Sequence, residues 1–129
     1  METKPAKPVS PLTPKQRLDN RLLRLSIKHW ERLRDGKEQQ WEGPFAGDCP
    51  LCKQYCISRY RGFCIGCPVK AHTGHAQCHY SPYYAARDAY FKRAEDPEEA
   101  RLAAQAEIDF LRSLIVLPKR AASKSGGAK

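Results

Sequence analysis

The spacing of the six cysteines constrains this chain more than any other feature. In order they read Cys49-x2-Cys52-x3-Cys56-x7-Cys64-x2-Cys67-x10-Cys78. Two cysteines separated by two residues can direct both sulfurs at one ion, and two such pairs complete the thiolate tetrahedron that zinc prefers. The spacing therefore predicts one structural Zn²⁺ bound by Cys49, Cys52, Cys64 and Cys67. Cys78 competes to be the fourth ligand, because Cys67 with Cys78 would also close a four-sulfur site.

Other uses of these cysteines fit the sequence less well. Residues 1–14 contain no apolar stretch of a secretory leader, so we expect a reducing, cytoplasmic compartment in which paired cysteines bind metal more often than they form disulfides. No βαβ setting for a redox pair is visible, and the spacing matches neither ferredoxin pattern. We interpret Cys56 as a free thiol or as a thiol that contacts the ligands without binding the metal. We expect His72 and His75 to be surface or capping residues, although their spacing leaves a second metal open.

A catalytic zinc would need an open coordination position and a nearby acidic base. The acidic residues nearest to the cysteines are Glu42, Asp48 and Asp88, and none lies in an H-x-E or H-E-x-x-H arrangement. We therefore expect no enzyme and no small-molecule substrate, and we expect the metal to replace a missing apolar core.

Hydrophobic periodicity predicts a mainly α fold of three helices with a zinc-stapled loop or short β-hairpin inserted after the first; a small α+β fold is the alternative. The first helix spans 13–35, with Thr13 as N-cap and Gly36 as stop, and carries an apolar stripe. That stripe is Leu18, Leu22, Leu25, His29 and Leu33. The hairpin is placed at 57–65, and Trp41 and Phe45 are expected to anchor the preceding connection.

The last two helices are predicted from start signals rather than from periodicity alone. Ser81-Pro82 indicates a helix to about residue 94, and Asp96-Pro97 indicates another to about residue 117. The buried stripe of the last helix is expected to comprise Leu102, Ala106, Phe110, Leu114 and Leu117, widened by Ile108, Leu111 and Ile115. The domain organisation is then a disordered Pro/Lys-rich arm (1–12), one zinc-containing domain (13–118, insert 45–81) and a flexible basic tail (119–129).

The formal net charge of +9 favours a partner rich in phosphate. A cationic row lies one residue before the apolar stripe of the first helix, and further cations lie in the cysteine region. These candidate nucleic-acid contacts are Arg17, Arg21, Arg24, Lys28, Arg32, Lys53, Arg59 and Arg61. The row could equally be a solvated flank whose long stems cover the edge of the core.

A resemblance adds to this interpretation. The string Cys49-Pro-Leu-Cys52, Cys64-x2-Cys67-Pro68, Thr73-Gly74-x3-Cys78 and Pro82-Tyr83 resembles a group of small bacteriophage and prophage proteins. It covers about residues 45–84; Cys56 lies outside the pattern, and Ser81 stands where the group has Thr. The resemblance implies a zinc-binding phage accessory protein located in the host cytoplasm. Because the pattern includes Cys78, it strengthens the claim of that residue on the metal.

Two partner classes follow for such a protein. The first is DNA or RNA, bound without base-specific contacts because no C2H2 spacing or helix-turn-helix is present. The second is a host protein bound by an adaptor, since six tyrosines offer side chains typical of interfaces. No stretch is long and apolar enough to predict a membrane span, so no membrane partner is expected.

Overall fold

The computed structural model describes residues 9–45, 48–57, 64–75, 78 and 81–120, with the backbone alone at residues 9, 10, 56, 57, 119 and 120. This part of the chain is mainly helical, as the sequence predicts. Its helices are α1 (Pro14–Asp35), α2 (Pro50–Cys52) with a following π-helical turn (Lys53–Ile57), α3 (Pro68–Thr73), α4 (Tyr83–Phe91) and α5 (Pro97–Ser113). Two extended segments, β1 (Val9–Ser10) and β2 (Lys119–Arg120), pair antiparallel.

The ends of α1 follow from its local sequence. The Thr13 side chain accepts a hydrogen bond from the Gln16 amide, and the Gln16 side chain accepts one from the Thr13 amide, which is a complete capping box. At the other end Gly36 adopts φ 70°, a left-handed conformation that glycine accepts without steric cost. Both predicted ends of α1 are therefore confirmed.

The buried face of α1 is rotated from the predicted stripe. Leu25 is 46 % exposed, whereas Leu23 and Ser26 are fully buried. The buried residues are Asp19, Asn20, Leu22, Leu23, Ser26, Ile27, His29, Trp30 and Leu33. The predicted stripe is right at Leu22, His29 and Leu33 and wrong at Leu25. Its steps of three and four residues followed one edge of the buried face, so it omitted the apolar Leu23, Ile27 and Trp30 and the polar Asp19, Asn20 and Ser26.

Helix α5 packs along α1 in the opposite direction. The Arg34 guanidinium donates to the Gln105 amide oxygen at 2.7 Å near one end of α1, and Asn20 contacts Val116 near the other. The buried residues of α5 are Ala104, Glu107, Ile108 and Leu111. The predicted stripe is wrong at Leu102, Ala106 and Leu117, which are exposed. It is right at the widening positions Ile108 and Leu111, and Phe110, Leu114 and Ile115 are partly buried against the core.

Helix α5 ends at Ser113, four residues before the predicted end, because the Asn20 side chain forms hydrogen bonds with the backbone that follows the helix. The Asn20 amide nitrogen donates to the Val116 carbonyl at 2.8 Å, and the Val116 amide donates to the Asn20 side-chain oxygen at 2.9 Å. This buried side chain satisfies both backbone groups of Val116 and holds the exit of α5 beside the start of α1. The start of α5 is as predicted, with Asp96 as N-cap.

The chain ends differ in part from the predicted arm and tail. Val9 pairs with Arg120 and Ser10 pairs with Lys119, so residues expected to be disordered or flexible form a short antiparallel ladder. The Asn20 contact explains the pairing, because it brings the segment after α5 next to the segment before α1. Residues 1–8 and 121–129 lie outside the described part of the chain.

Two smaller predictions also need correction. Trp41 and Phe45 do not anchor the connection after α1, because both are exposed; Gly43 and Pro44 are the buried residues there. Helix α4 begins at Tyr83 with Pro82 as N-cap, one residue later than predicted, and ends at Phe91. The predicted hairpin falls mostly on residues 58–63, outside the described residues, and its first residue Ile57 belongs to the π-helical turn. No helix among the described residues is long and apolar enough to cross a bilayer.

Candidate functional site

The five cysteines whose side chains the structure describes divide into two chemical groups, and the side chain of Cys56 lies outside the described part. Cys49, Cys52, Cys67 and Cys78 carry free thiols, whereas Cys64 is bonded in a disulfide. Cys52 and Cys67 are buried, and Cys49 and Cys78 are half-buried against the core. A disulfide sulfur has no thiolate to offer a metal, so the structure favours Cys78 over Cys64 as the fourth candidate, which is the alternative that the spacing left open.

Short turns at helix starts position these thiols. Cys49 and Cys67 are the N-cap residues of α2 and α3, each followed by a proline at the first helical position. Gly66 has φ 90°, and the Cys67 amide donates to the Cys64 carbonyl at 3.0 Å, which closes a tight turn before α3. Cys78 itself has φ 63°, and the amide and hydroxyl of Ser81 both donate to its carbonyl.

The four thiols influence one another electrostatically. A hydrogen bond with Cys52, burial and the charge of Cys52 raise the pKa of Cys49 well above its usual value. A hydrogen bond with Cys49 lowers the pKa of Cys52. A bond with Cys78, burial and the charges of Cys78 and Cys67 outweigh that effect and raise this pKa to about 12. Burial raises the pKa of Cys67, against backbone interactions with Lys70 and Val69 that lower it. Without a cation, the raised pKa values of Cys49, Cys52 and Cys67 keep these three thiols neutral.

This donor set suits zinc by its chemistry. Four thiols that destabilise one another as anions are stabilised together by a divalent cation, which displaces their protons. Among the described residues, however, no group of three or more His, Cys, Asp or Glu side chains lies in an arrangement that could hold a metal ion. The fit therefore rests on the identity and proximity of the donors, with Cys52 in contact with both Cys49 and Cys78.

Helix α1 supports the cysteine segment (residues 48–81) through polar side chains that the sequence analysis missed. The buried carboxylate of Asp19 accepts hydrogen bonds from the Tyr55 hydroxyl and the Lys15 ammonium. Lys15 also donates to the Gly66 carbonyl at 2.7 Å and lies over the Tyr55 ring at 5.0 Å. The π-helical turn and the Cys64–Cys67 turn are thus both tied to one turn of α1.

Two further polar groups of the helices face the thiols. The Ser26 hydroxyl lies 3.7 Å from the Cys49 sulfur, within hydrogen-bond distance for sulfur. Glu107 of α5 is buried, and its Oε1 atom has no hydrogen-bond partner among the described residues. Burial and the charge of Cys49 raise the pKa of Glu107 to about 8. A polar residue within an otherwise apolar helical face was the available sequence signal for Asp19, Ser26 and Glu107.

His72 and His75, the described histidines near the cysteines, contact neighbouring residues of the fold. The His72 ring packs edge-on against Phe110 at 5.6 Å, and the exposed His75 joins Thr73 in a local turn. These contacts give no support to a second metal at His72 and His75. His29 instead binds Glu42, whose carboxylate also accepts from the Arg32 guanidinium at 2.7 Å. Hydrogen bonds from Arg32, opposed by burial, and further bonds from Gln39 and His29 lower the pKa of Glu42 to about 2.

The predicted cations of α1 form an exposed basic row, which comprises Arg17, Arg21, Arg24, Lys28 and Arg32. The first four are exposed, and Arg32 is half-buried where it binds Glu42. Arg17 donates to the Leu12 carbonyl at 2.7 Å, while Arg21, Arg24 and Lys28 form no hydrogen bond or ion pair within the described residues. Lys53 is exposed in the π-helical turn, and Arg59 and Arg61 lie outside the described residues.

Comparisons with models of protein families, with curated proteins and with solved structures found no match to this chain.

Proposed function

We propose that this chain is a small zinc-binding accessory or regulatory protein of phage type that binds nucleic acid without sequence preference. The observation that carries the proposal is the basic row of α1. Its members Arg21, Arg24 and Lys28 point cations at solvent without an intramolecular partner in the described residues, so they are available to phosphates.

The metal part of the proposal assigns one Zn²⁺ to Cys49, Cys52, Cys67 and Cys78. The ion supplies a cross-link and no catalytic chemistry, because four thiolates leave no open coordination position. Its support is the shared environment of the four free thiols, together with the resemblance to zinc-binding phage proteins. Bound zinc would hold α2, α3 and the start of α4 against α1, on which the basic row lies.

The nucleic-acid part is tested by binding across a salt series. Full-length protein is titrated into a labelled 20-base-pair duplex and a 20-nucleotide single strand from low to high salt. Each cation that neutralises a phosphate contributes about −0.9 to the slope of log affinity against log salt on a duplex. We expect the variant Arg21→Gln/Arg24→Gln/Lys28→Gln to bind more weakly and to lower that slope by roughly 2 to 3.

A control variant separates the row from net charge. Lys92→Gln/Arg101→Gln/Arg112→Gln removes the same formal charge from exposed positions on other elements. We expect it to keep most of the slope. Equal weakening in both variants would show that the basic row acts only through the net charge of the protein. Absence of binding to every DNA and RNA at low salt would contradict the proposed function.

A protein-interaction adaptor that modulates a host protein is the second candidate function. Phe45 and Phe91 are each about half exposed, and their rings lie 5.8 Å apart, which forms an apolar pair at the surface. The tyrosines give it less support than the sequence suggests. Tyr55 and Tyr90 are buried and hydrogen-bonded, so they serve the core rather than an interface. Capture of a host protein that survives nuclease treatment and is lost in Phe91→Ser would favour this candidate.

A further inference from the structure

We propose that Trp41 is a stacking platform for an unpaired base, so that the nucleic acid bound by this protein is single-stranded at this site. The inference rests on the proposed nucleic-acid function and names its substrate class. It concerns a residue that the sequence predicts to anchor the connection after α1.

The first observation is the exposure of the indole. Trp41 is 87 % exposed, more than any other large apolar side chain that the structure describes. Trp30, the second of the two tryptophans in the chain, is 3 % exposed and packs edge-on against Tyr83. A large apolar ring that contributes so little to the core has its π-face available to a ligand.

The second observation is the backbone that presents this ring. The Glu42 amide donates to the Gln39 carbonyl at 2.9 Å and closes a tight turn, and Trp41 occupies its third position with φ 71°. That position favours glycine, and a positive φ is unusual for a bulky aromatic residue. The turn is held in place from inside, since Glu42 binds His29, Arg32 and the Gln39 amide. A strained residue that the surrounding contacts over-determine is a common mark of a functional position.

The third observation is the polar recess beside the ring. It has a volume of about 230 Å³ and is lined, besides Trp41, by Arg32, Gln39, Gln40, Glu42, Asp48 and Lys53. The two acidic groups are engaged within the protein, Glu42 by Arg32 and Asp48 by the Gly43 amide at 2.9 Å. The exposed side chains of Gln39 and Gln40 can form hydrogen bonds with a base edge beside the stacking ring.

These features favour a nucleotide over a protein side chain. A tryptophan that anchors a protein interface is normally surrounded by apolar contacts that exclude water, whereas this recess is lined by charged and amide groups. Arg32 belongs to both the recess and the basic row, so the two surfaces are continuous. From Arg17 to Arg32 the row is about 22 Å long, enough to follow the backbone of a short single strand that ends at Trp41.

The test uses tryptophan emission, because quenching by a ligand reports Trp41 while Trp30 is shielded. Full-length protein is titrated with a 12-nucleotide thymidine strand, with an abasic 12-mer of equal charge and with a 12-base-pair duplex. We expect the thymidine strand to quench the emission strongly, whereas the abasic strand and the duplex bind through the basic row with little quenching. We also expect thymidine to bind roughly tenfold more tightly than the abasic strand.

Two variants test whether the Trp41 ring provides the preference for strands that carry bases. Trp41→Gly removes the ring while suiting the positive φ, so we expect unchanged or higher thermal stability and loss of the tenfold preference for bases. Trp41→Phe keeps a π-face and should restore most of that preference. A Trp41→Gly variant that binds thymidine as wild type does would overturn the inference, and so would quenching by a host protein but by no oligonucleotide. In the first case the salt-dependent binding of the basic row, and with it the proposed function, would still stand.

Discussion

The helical frame, formed by α1, α4 and α5, and the cysteine segment are held together by different kinds of contact. The frame buries apolar side chains such as Leu23 and Ile108, neither of which is exposed at all. Among the described residues of the cysteine segment, Leu51, Tyr55 and Val69 are the buried hydrophobic side chains besides cysteines. The frame therefore owes its order to burial, whereas the described part of the cysteine segment is joined to α1 by polar contacts and, on the proposed function, gains a zinc cross-link between its thiols.

Removal of the proposed zinc is expected to break this comparison most strongly. Structural zinc in small domains is worth on the order of 10 kcal/mol, and only the cysteine segment depends on it directly. We expect chelation or Cys52→Ser to raise hydrogen exchange in residues 48–57 and 64–75 by orders of magnitude while most of the helical circular dichroism remains. Complete loss of helix would show that the frame is not independent.

Counting the bound metal in cysteine variants tests which cysteines bind the proposed zinc. Native mass spectrometry of protein purified without chelator should give one zinc per wild-type chain and none for Cys52→Ser or Cys78→Ser. Cys64→Ser is the matched control, because Cys64 is the disulfide-bonded cysteine among those described, and it should retain the metal. The reverse result, with zinc lost in Cys64→Ser and kept in Cys78→Ser, would overturn the ligand assignment.

The second effect concerns Glu107, the buried carboxyl that the frame places near the cysteine segment. Its pKa is raised from 4.5 to about 8, so below pH 4.5 the folded and unfolded states are both protonated and carry no penalty. Between those values only the unfolded state ionises, and stability is lost as pH rises through the window. Glu107→Gln should therefore stabilise the fold by about 3 kcal/mol more at pH 7.5 than at pH 5.5.

Urea unfolding of wild type and variant at the two pH values measures that difference. Glu95→Gln, an exposed substitution in the turn before α5, should shift neither value by more than a few tenths. An effect of Glu107→Gln that is the same at both pH values would contradict the raised pKa.

The smallest effect concerns the polar tie between the two regions. Tyr55→Phe removes a hydroxyl that donates to the buried Asp19 carboxylate, and we expect a loss of about 2 kcal/mol in unfolding free energy. Lys15→Met removes the half-exposed partner of the same carboxylate and should cost less than about 1 kcal/mol. If Tyr55→Phe were neutral in urea unfolding, Asp19 would not be what joins the π-helical turn to α1.

Local signals predicted the parts of this fold that depend on neighbouring residues. The caps of α1 and the start of α5 lie within four residues of the groups they satisfy, so sequence alone places them. The end of α5 depends instead on Asn20, which lies 96 residues from Val116 in the chain. Periodicity could not indicate such a contact, and it therefore extended the helix too far.

The candidate sites were predictable to different degrees for the same reason. The basic row follows from helical spacing alone, and its exposure at Arg21, Arg24 and Lys28 agrees with the prediction. The sequence could not decide between Cys64 and Cys78 as the fourth candidate ligand. The packing of α3 and of the turn at Cys78 determines which thiols lie close together. Trp41 was misassigned because composition favours burial of an indole, and its positive φ is not visible in the sequence.

The antiparallel ladder of Val9–Ser10 with Lys119–Arg120 has a topological consequence. It joins the two ends of the described chain at the pole where α1 starts, while Trp41 follows the opposite end of that helix. Val9 and Arg120, near the limits of the described chain, therefore lie side by side at the start of a helix about 33 Å long, whereas the exposed indole follows its other end. A tether introduced at Val9 or Arg120 would therefore join the protein at the end of α1 that lies away from Trp41.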